Sequence, residues 1–216
     1  MGLENVTIFD HPLIRHKVAI LRDEKTSTKE FRELVEEITT LMVFEAFKDV
    51  PTKKVIVKTP LEETEQEMVV DNAITIVPIL RAGLIFTDEA IDILPQACIR
   101  HIGMYRDEKT LQPVWYYNKV PLNTSNSDNT YVYITDPMLA TGNSLLEAIK
   151  LYVNRGIPIK NIKCLCIICA PQGIENIHKH FPDVEIITAA VDESLNDKGY
   201  IVPGMGDAGD RIFNTL

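Results

Sequence analysis

In the stretch YVYITDPMLATGNSLLEAIKLYV, residues 131–153, one acid, Asp136, precedes a run of small residues from Ala140 to Ser144. An apolar-periodic helix follows that run. Thr141, Gly142, Asn143 and Ser144 fall where backbone N–H groups have no partner within the helix, and the helix dipole favours an anion there. No lysine follows the glycine, so the loop lacks the cation of a triphosphate-binding P-loop, and G-x-G-x-x-G is absent here. A monophosphate fits better. A carboxylate repels phosphate, so Asp136 calls for hydroxyl donors instead. Phosphate on the loop and neighbouring hydroxyls on the acid describe a sugar phosphate, most simply a ribose 5-phosphate unit. The plainer reading is an N-cap at Ser144 and a turn at Asp136-Pro137, and both readings stand on this loop alone.

Three other segments carry similar chemistry. PILRAG, residues 78–83, ends an apolar run with Arg81 and Gly83, a cation beside a close backbone approach. As a second anion seat it would suit a sugar phosphorylated at both ends; otherwise Arg81 is a surface charge. Arg106 sits beside Asp107, Glu108 and Lys109, either in a solvated turn or on an arm that delivers a guanidinium to a leaving phosphate. Finally, GYIVPGMGDAGDRIFNT places Gly199, Gly204, Gly206 and Gly209 within eleven residues, a composition unsuited to strand or helix. Such a stretch exposes backbone N–H and C=O groups, which can read the acceptor–donor–acceptor edge of a pyrimidine-dione. Asp207 is the acid at its centre.

Positioning these loops falls to a repeating pattern that starts at Ala73. Three units run strand, loop, helix: AITIVPIL into RAGLIFTDEAIDIL, TYVYIT into the 136–144 loop, and IKCLCIICA into PQGIENIHKHF; VEIITAAVD follows. Alternation of this kind predicts a mostly parallel sheet flanked by helices, with ligands outside the carboxyl ends of the strands. Residues 97–122 read as two strands around the polar turn, a hairpin arm. Upstream, Ser27 and Glu30 form a capping box for a helix whose apolar positions run from Phe31 through Leu34, Val35 and Ile38 to Leu41, Met42 and Phe47. KKVIVKTPLEETEQEMV suggests a strand and a turn.

At 216 residues, 45% hydrophobic and 25% charged, the chain is expected to form one domain with a sizeable core. A net charge of −9 argues against a general nucleic-acid or anionic-membrane binder. There is no signal-like start and no apolar run of membrane-spanning length, so a cytoplasmic protein is expected. Cys164, Cys166 and Cys169 lie in an all-apolar strand pattern and read as buried thiols rather than zinc ligands. His178 and His180, two apart on a helix, diverge and form no metal pair.

Taken together, TDPMLATGNS, VPILRAGL, IGMYRDE and KGYIVPGMGDAGDRIF closely resemble the motifs of the uracil phosphoribosyltransferase family. FDHPLIRHKVAILRDEKTSTKEFRELVEEI resembles that family's N-terminal segment, so the likeness spans nearly the whole chain. It implies an α/β type I phosphoribosyltransferase fold with a small hood, from the N- and C-terminal segments, over the base site. It implies the reaction of uracil with 5-phosphoribosyl-1-pyrophosphate (PRPP), giving UMP and pyrophosphate, with Mg²⁺ held mainly through PRPP and water. By the same resemblance, Asp136, Pro137, Met138, Leu139, Ala140, Thr141, Gly142, Asn143 and Ser144 hold the ribose hydroxyls and 5-phosphate, and Arg81 and Arg106 contact the pyrophosphate. Asp207 acts at PRPP through its metal or water shell and is a candidate general base; Ile201, Gly206, Asp207 and Ala208 bind uracil. GTP activates some members.

Two departures from the wider pattern stand out. Only one acid precedes the loop, as Thr135-Asp136-Pro137, which supports the uracil branch. Asn143 replaces the glycine usual in that branch, and asparagine's tolerance of left-handed backbone is expected to preserve the cradle. Trp115, Tyr116 and Tyr117 suggest a homodimer or higher homo-oligomer through exposed aromatics. The rival readings are a same-fold regulator that binds UMP or RNA, and a flavodoxin-like FMN protein, whose phosphate loop would be expected near the N-terminus instead.

Overall fold

The computed structural model describes residues 4–71, 73–107, 113–121 and 129–215. In chain order the strands and helices are β1 (Val6–Ile8), α1 (Pro12–Arg22), α2 (Thr28–Ala46), β2 (Thr52–Lys58), β3 (Glu63–Val69), β4 (Ile74–Leu80) and α3 (Ile85–Ile93). Then come β5 (Cys98–Ile99), β6 (Ile102–Arg106), β7 (Pro113–Asn118), β8 (Tyr131–Thr135), β9 (Met138–Leu139) and α4 (Asn143–Val153). The chain closes with β10 (Ile162–Cys169), α5 (Pro171–His180), β11 (Glu185–Val191), β12 (Ser194–Leu195), β13 (Ile201–Val202) and α6 (Ala208–Phe213).

Among the described residues the main sheet runs β1-β11-β10-β8-β4-β6-β7, with β5 on β4 and β9 on β10. Every pairing is parallel except β6 with β7. β4 and β8 are neighbours, yet β4 leads through α3 toward β6 on one side and β8 leads through α4 to β10 on the other. That divergence is a topological switch point, where the carboxyl ends of two adjacent strands leave a crevice.

Burial explains the strand composition. β10 is buried along its whole length and β4 nearly so, which matches their near-continuous apolar runs. Cys164, Cys166 and Cys169 are free and fully buried, as expected of small apolar fillers. One core layer joins the sheet to α1, α2, α3 and α6; the other joins it to α4 and α5. Ser27 caps α2 by accepting from the Glu30 N–H, and His11 caps α1 by accepting from the Leu13 N–H ahead of Pro12. Phe47 falls just past the end of α2, in a 3-10 turn, with its side chain still in the core.

Two hairpins differ from the sequence expectation. β6 and β7 form the pair read from residues 97–122, but β6 joins β4, so at its base this hairpin widens the main sheet. The hairpin that stands apart is β2–β3, paired from Thr52 with Val69 to Lys58 with Glu63 as a separate two-stranded sheet. Its second strand, ETEQEMV, is too polar to announce itself by alternation.

Lys163, the polar residue in β10, lies at the edge opposite the crevice. Its ammonium contacts Asp49 at 3.0 Å and Glu185 at 2.9 Å, with its own side chain only 10% exposed. Removing it strands two carboxylates, one of them largely sheltered. Lys163→Met is expected to cost about 2 kcal/mol in urea unfolding, less than a fully buried pair would, without altering substrate KM values. A change in KM with unchanged stability would contradict this placement.

Candidate functional site

The cleft at the switch point has a volume of about 350 Å³. Its floor is set by how β8 ends. The Asp136 N–H donates to the Leu165 carbonyl at 3.1 Å, and the Pro137 carbonyl accepts from both Ile167 and Ile168. Two donors on one acceptor tie the 136–137 step to β10 without a change of register. Met138 and Leu139 then pair with Ile168 and Cys169 as β9, an element not foreseen in the loop. Pro137 is buried and does not line the cleft; its contribution is that doubly used carbonyl.

Asp136 itself opens on the cleft. Its Oδ1 accepts from the Met138 N–H at 3.4 Å, an Asx-type turn. Crowding by the surrounding protein removes water from the carboxyl and, with the negative Asp207 nearby, pushes its pKa up to about 7, against the pull of the Met138 N–H. Part of its surface still meets cleft water.

The cradle proper begins at Ala140. Gly142 takes φ +80° and is the N-cap of α4, with no side-chain cap. Ser144 is therefore inside the first turn rather than the N-cap. Asn143 also differs from expectation: it starts the helix and is not among the positive-φ residues, because Gly142 already makes the left-handed step. Its side chain instead accepts from Asn176 Nδ2 at 2.9 Å, and the same nitrogen donates to the Thr141 carbonyl at 2.8 Å. Asn176 on α5 thus braces the cradle from behind. A Cβ on Gly142 would sit 2.7 Å from the Gly173 carbonyl oxygen, and one on Gly173 would collide with the Ala140 carbonyl oxygen. Loop and helix touch backbone to backbone. Neither Gly173 nor Asn176 was foreseen; a glycine inside the PQGIEN helix pattern was the available signal.

From β4, the Leu80–Arg81 peptide is cis and a 3-10 turn spans Ala82–Leu84. Gly83 does allow a close backbone approach, but the partner is protein: a Cβ there would collide with the Thr135 carbonyl oxygen, and the Gly83 carbonyl accepts from the Thr135 hydroxyl at 3.2 Å. Arg81 lines the cleft, pairs with Asp210 at 3.5 Å and lies 5.7 Å from the Phe213 ring centroid. Arg106 ends β6; its side chain, like Glu108 and Lys109, lies outside the described residues.

The glycine-rich segment forms the opposite wall, with Ile201, Gly206, Asp207 and Ala208 facing the same cleft as Asp136, Thr141 and Ser144. Contrary to its composition, it holds a two-residue strand, β13, and a six-residue helix, α6. Asp207 caps that helix, its Oδ1 accepting from the Asp210 N–H at 3.0 Å. Gly199, Gly204 and Gly206 all have positive φ. Met104, Tyr105 and Tyr200 also line the cleft, none of them anticipated.

A sequence profile described as uracil phosphoribosyltransferase matches residues 8–215. The chain belongs to the uracil phosphoribosyltransferase family. A curated relative from Bacillus licheniformis named uracil phosphoribosyltransferase is 50% identical over 210 residues, covering 97% of this chain and 98% of that one. Among solved structures, the AQ2163 protein of Aquifex aeolicus superposes with a TM-score of 0.88 at 38% identity, over 96% of this chain and 97% of that one. Adenine phosphoribosyl transferase of Trypanosoma brucei shares the fold at TM-score 0.53 and 14% identity, covering 88% of this chain and 84% of that one. The fold of this family member is the type I phosphoribosyltransferase fold, with the mostly parallel sheet described above. Family membership displaces the flavodoxin-like reading, and no helix among the described residues is long and apolar enough to cross a membrane.

Proposed function

We propose that this chain transfers the 5-phosphoribosyl group of PRPP to uracil, giving UMP and pyrophosphate, a salvage step in the cytoplasm. The observation that carries this reading is the convergence of the 136–144 cradle and the glycine-rich wall on one cleft. In this reading Thr141 to Ser144 hold the 5-phosphate, Asp136 accepts from the ribose hydroxyls, and the backbone of Ile201, Gly206 and Ala208 reads the base edge. Arg81 and Arg106 lie on the pyrophosphate side.

The reaction breaks the bond between the anomeric carbon and pyrophosphate, whose oxygen keeps the electron pair. A uracil ring nitrogen that has given up its proton forms the new bond. Positive charge builds on the ribose ring, so cations at the leaving group act most as that bond breaks. Mg²⁺ bound with PRPP would add charge neutralisation at the leaving pyrophosphate. The donor set fits such a group: two carboxylates, Asp136 and Asp207, face the cleft, and no cluster of three or more acid, histidine or cysteine ligands occurs among the described residues. A cation shared with substrate oxygens and water suits that sparse supply. Asp207, one oxygen of which serves the α6 cap, is the proposed acceptor of the uracil proton or orienter of the metal's waters.

The whole chain acts as one domain in this reading, with the α1 end and the 199–209 wall as hood. The stacked pair Tyr105 and Tyr116, both exposed, and exposed Tyr117 support a homo-oligomer; Trp115 does not, since it packs against the core.

Incubation with PRPP, Mg²⁺ and either uracil or cytosine tests the proposal. Cytosine reverses part of the hydrogen-bond pattern, and each mismatched group costs about 1–3 kcal/mol, so uracil should be preferred by roughly a hundredfold or more. Equal rates for both bases, or no PRPP dependence, would overturn it.

A further inference from the structure

We infer that Arg22 and Asp192, neither of which lines the cleft, are positioning residues that set where the 201–208 wall meets the base. This rests on uracil as the substrate.

Asp192 follows β11 and its side chain is only 4% exposed. It accepts a forked pair of bonds from Arg22, at 2.8 Å from Nη1 and 2.5 Å from Nη2, and a third from the Gly204 N–H at 2.8 Å. Arg22 Nη1 also donates to the Gly204 carbonyl at 2.7 Å. Both backbone groups of Gly204 are therefore held by one ion pair. Gly204 has φ +65°, and a Cβ there would collide with the Ile201 carbonyl oxygen. Its conformation sets the distance between Ile201 on one side and Gly206 to Ala208 on the other.

A second arginine reinforces the same junction from the opposite direction. Arg211 on α6 donates through Nη1 to the carbonyls of Leu21 and Met205, both at 2.9 Å, and through Nη2 to that of Asp23 at 2.7 Å. The end of α1 and the base wall are consequently tied together at two points. A fork–fork pair fixes direction as well as distance, which a lysine or a neutral amide cannot reproduce. The 136–144 cradle is held by β9, β10 and Asn176, and among the hydrogen bonds described none of its residues bonds the Arg22 or Asp192 side chain; Asp192 reaches β10 only through its backbone N–H, which donates to the Cys169 carbonyl at 2.8 Å and is kept in every side-chain variant. Uracil recognition and PRPP recognition should therefore respond differently to this pair.

The test uses Asp192→Asn, which keeps an acceptor for the Gly204 N–H, together with Arg22→Met, Arg22→Lys and the Arg22→Met/Asp192→Asn double variant. Each is assayed well below its own melting temperature. We expect KM for uracil to rise about tenfold or more in Asp192→Asn and Arg22→Met, with KM for PRPP changed less than about twofold. The uracil-over-cytosine ratio should fall with it. Arg22→Lys should lie between wild type and Arg22→Met, and the double variant should be no worse than the poorer single. Equal rises in both KM values, or an unchanged uracil KM and base ratio, would overturn the inference. Where the harsher variants fail to fold, Arg22→Lys decides it by the same two readouts. A wild type that turns over no uracil removes both this inference and the function it rests on, whereas an active wild type with unmoved variants removes this one alone.

Discussion

Asp136→Asn is expected to gain stability at pH 8 while losing nearly all turnover. The carboxyl sits in a crowded floor that raises its pKa from an ordinary 3.8 to about 7. Between those values the folded chain holds a proton that the unfolded chain releases, so stability falls as pH rises through the window and is lowest above 7. A shift of that size corresponds to a ceiling of about 4 kcal/mol; cleft water reaching the group brings the expected gain from asparagine to roughly 1–2 kcal/mol. Asparagine keeps the acceptor for the Met138 N–H. It loses the charge that two ribose hydroxyls would meet, at about 1.5–3 kcal/mol each, so kcat/KM should drop about a hundredfold to ten-thousandfold. Urea unfolding at pH 5 and pH 8 separates the two effects: the variant's advantage should appear at the higher pH and shrink at the lower. PRPP affinity of the wild type should also strengthen as pH rises through 7, beyond any change in the variant, which controls for the substrate's own phosphates. An active variant, or one with no pH-dependent gain, would contradict the assigned place of Asp136.

Gly142→Ala should be the most damaging single methyl in the cleft. Two costs coincide there. The backbone at φ +80° is left-handed, worth about 1–2 kcal/mol against any L side chain. The added Cβ would also meet the Gly173 carbonyl oxygen at 2.7 Å, with Gly173 Cα and C at 3.3 and 3.4 Å. These are main-chain atoms, so no rotamer change relieves the contact. Either the cradle lifts off α5, breaking the Asn176 bonds to Thr141 and Asn143, or α5 moves. Gly206→Ala supplies the control, because it has a similar φ of +78° but meets only the flexible Arg211 Cδ, at 3.5 Å. We expect Gly142→Ala to lose about 2–4 kcal/mol and to weaken ribose 5-phosphate binding tenfold or more, read by calorimetry. Gly206→Ala should lose about half as much stability. Equal losses in the two variants would show that the contact with α5 is immaterial.

Much of this arrangement was legible because it is local. The largely apolar runs of β4 and β10, the N-cap at Ser27 and the carboxylate ahead of small residues each lie within a few positions, and each survives in the fold; of the capping box, the bond from the Glu30 N–H to Ser27 is the half observed. What the residues left unread depends on distant pairing. Residues 138 and 139 become a strand only because β10 runs on past the end of β8 and offers Ile168 and Cys169 as partners. Gly83 serves Thr135 rather than a ligand because β4 and β8 end side by side. Asn143 needs no left-handed tolerance once Gly142 has taken that step, and its actual partner, Asn176, lies 33 residues away. The second strand of the free hairpin was hidden for a different reason: with little apolar face to bury, ETEQEMV shows no alternation.

The staple between α1 and the base wall joins residues 182 and 190 positions apart. The cradle, by contrast, is complete once the chain has been made as far as α5. On the proposed assignment, therefore, the segment that would hold phosphate is synthesised in full well before the link that secures the base wall, which waits for Arg211. A polypeptide truncated before Arg211 would lack the bonds that tie the proposed base wall to the end of α1.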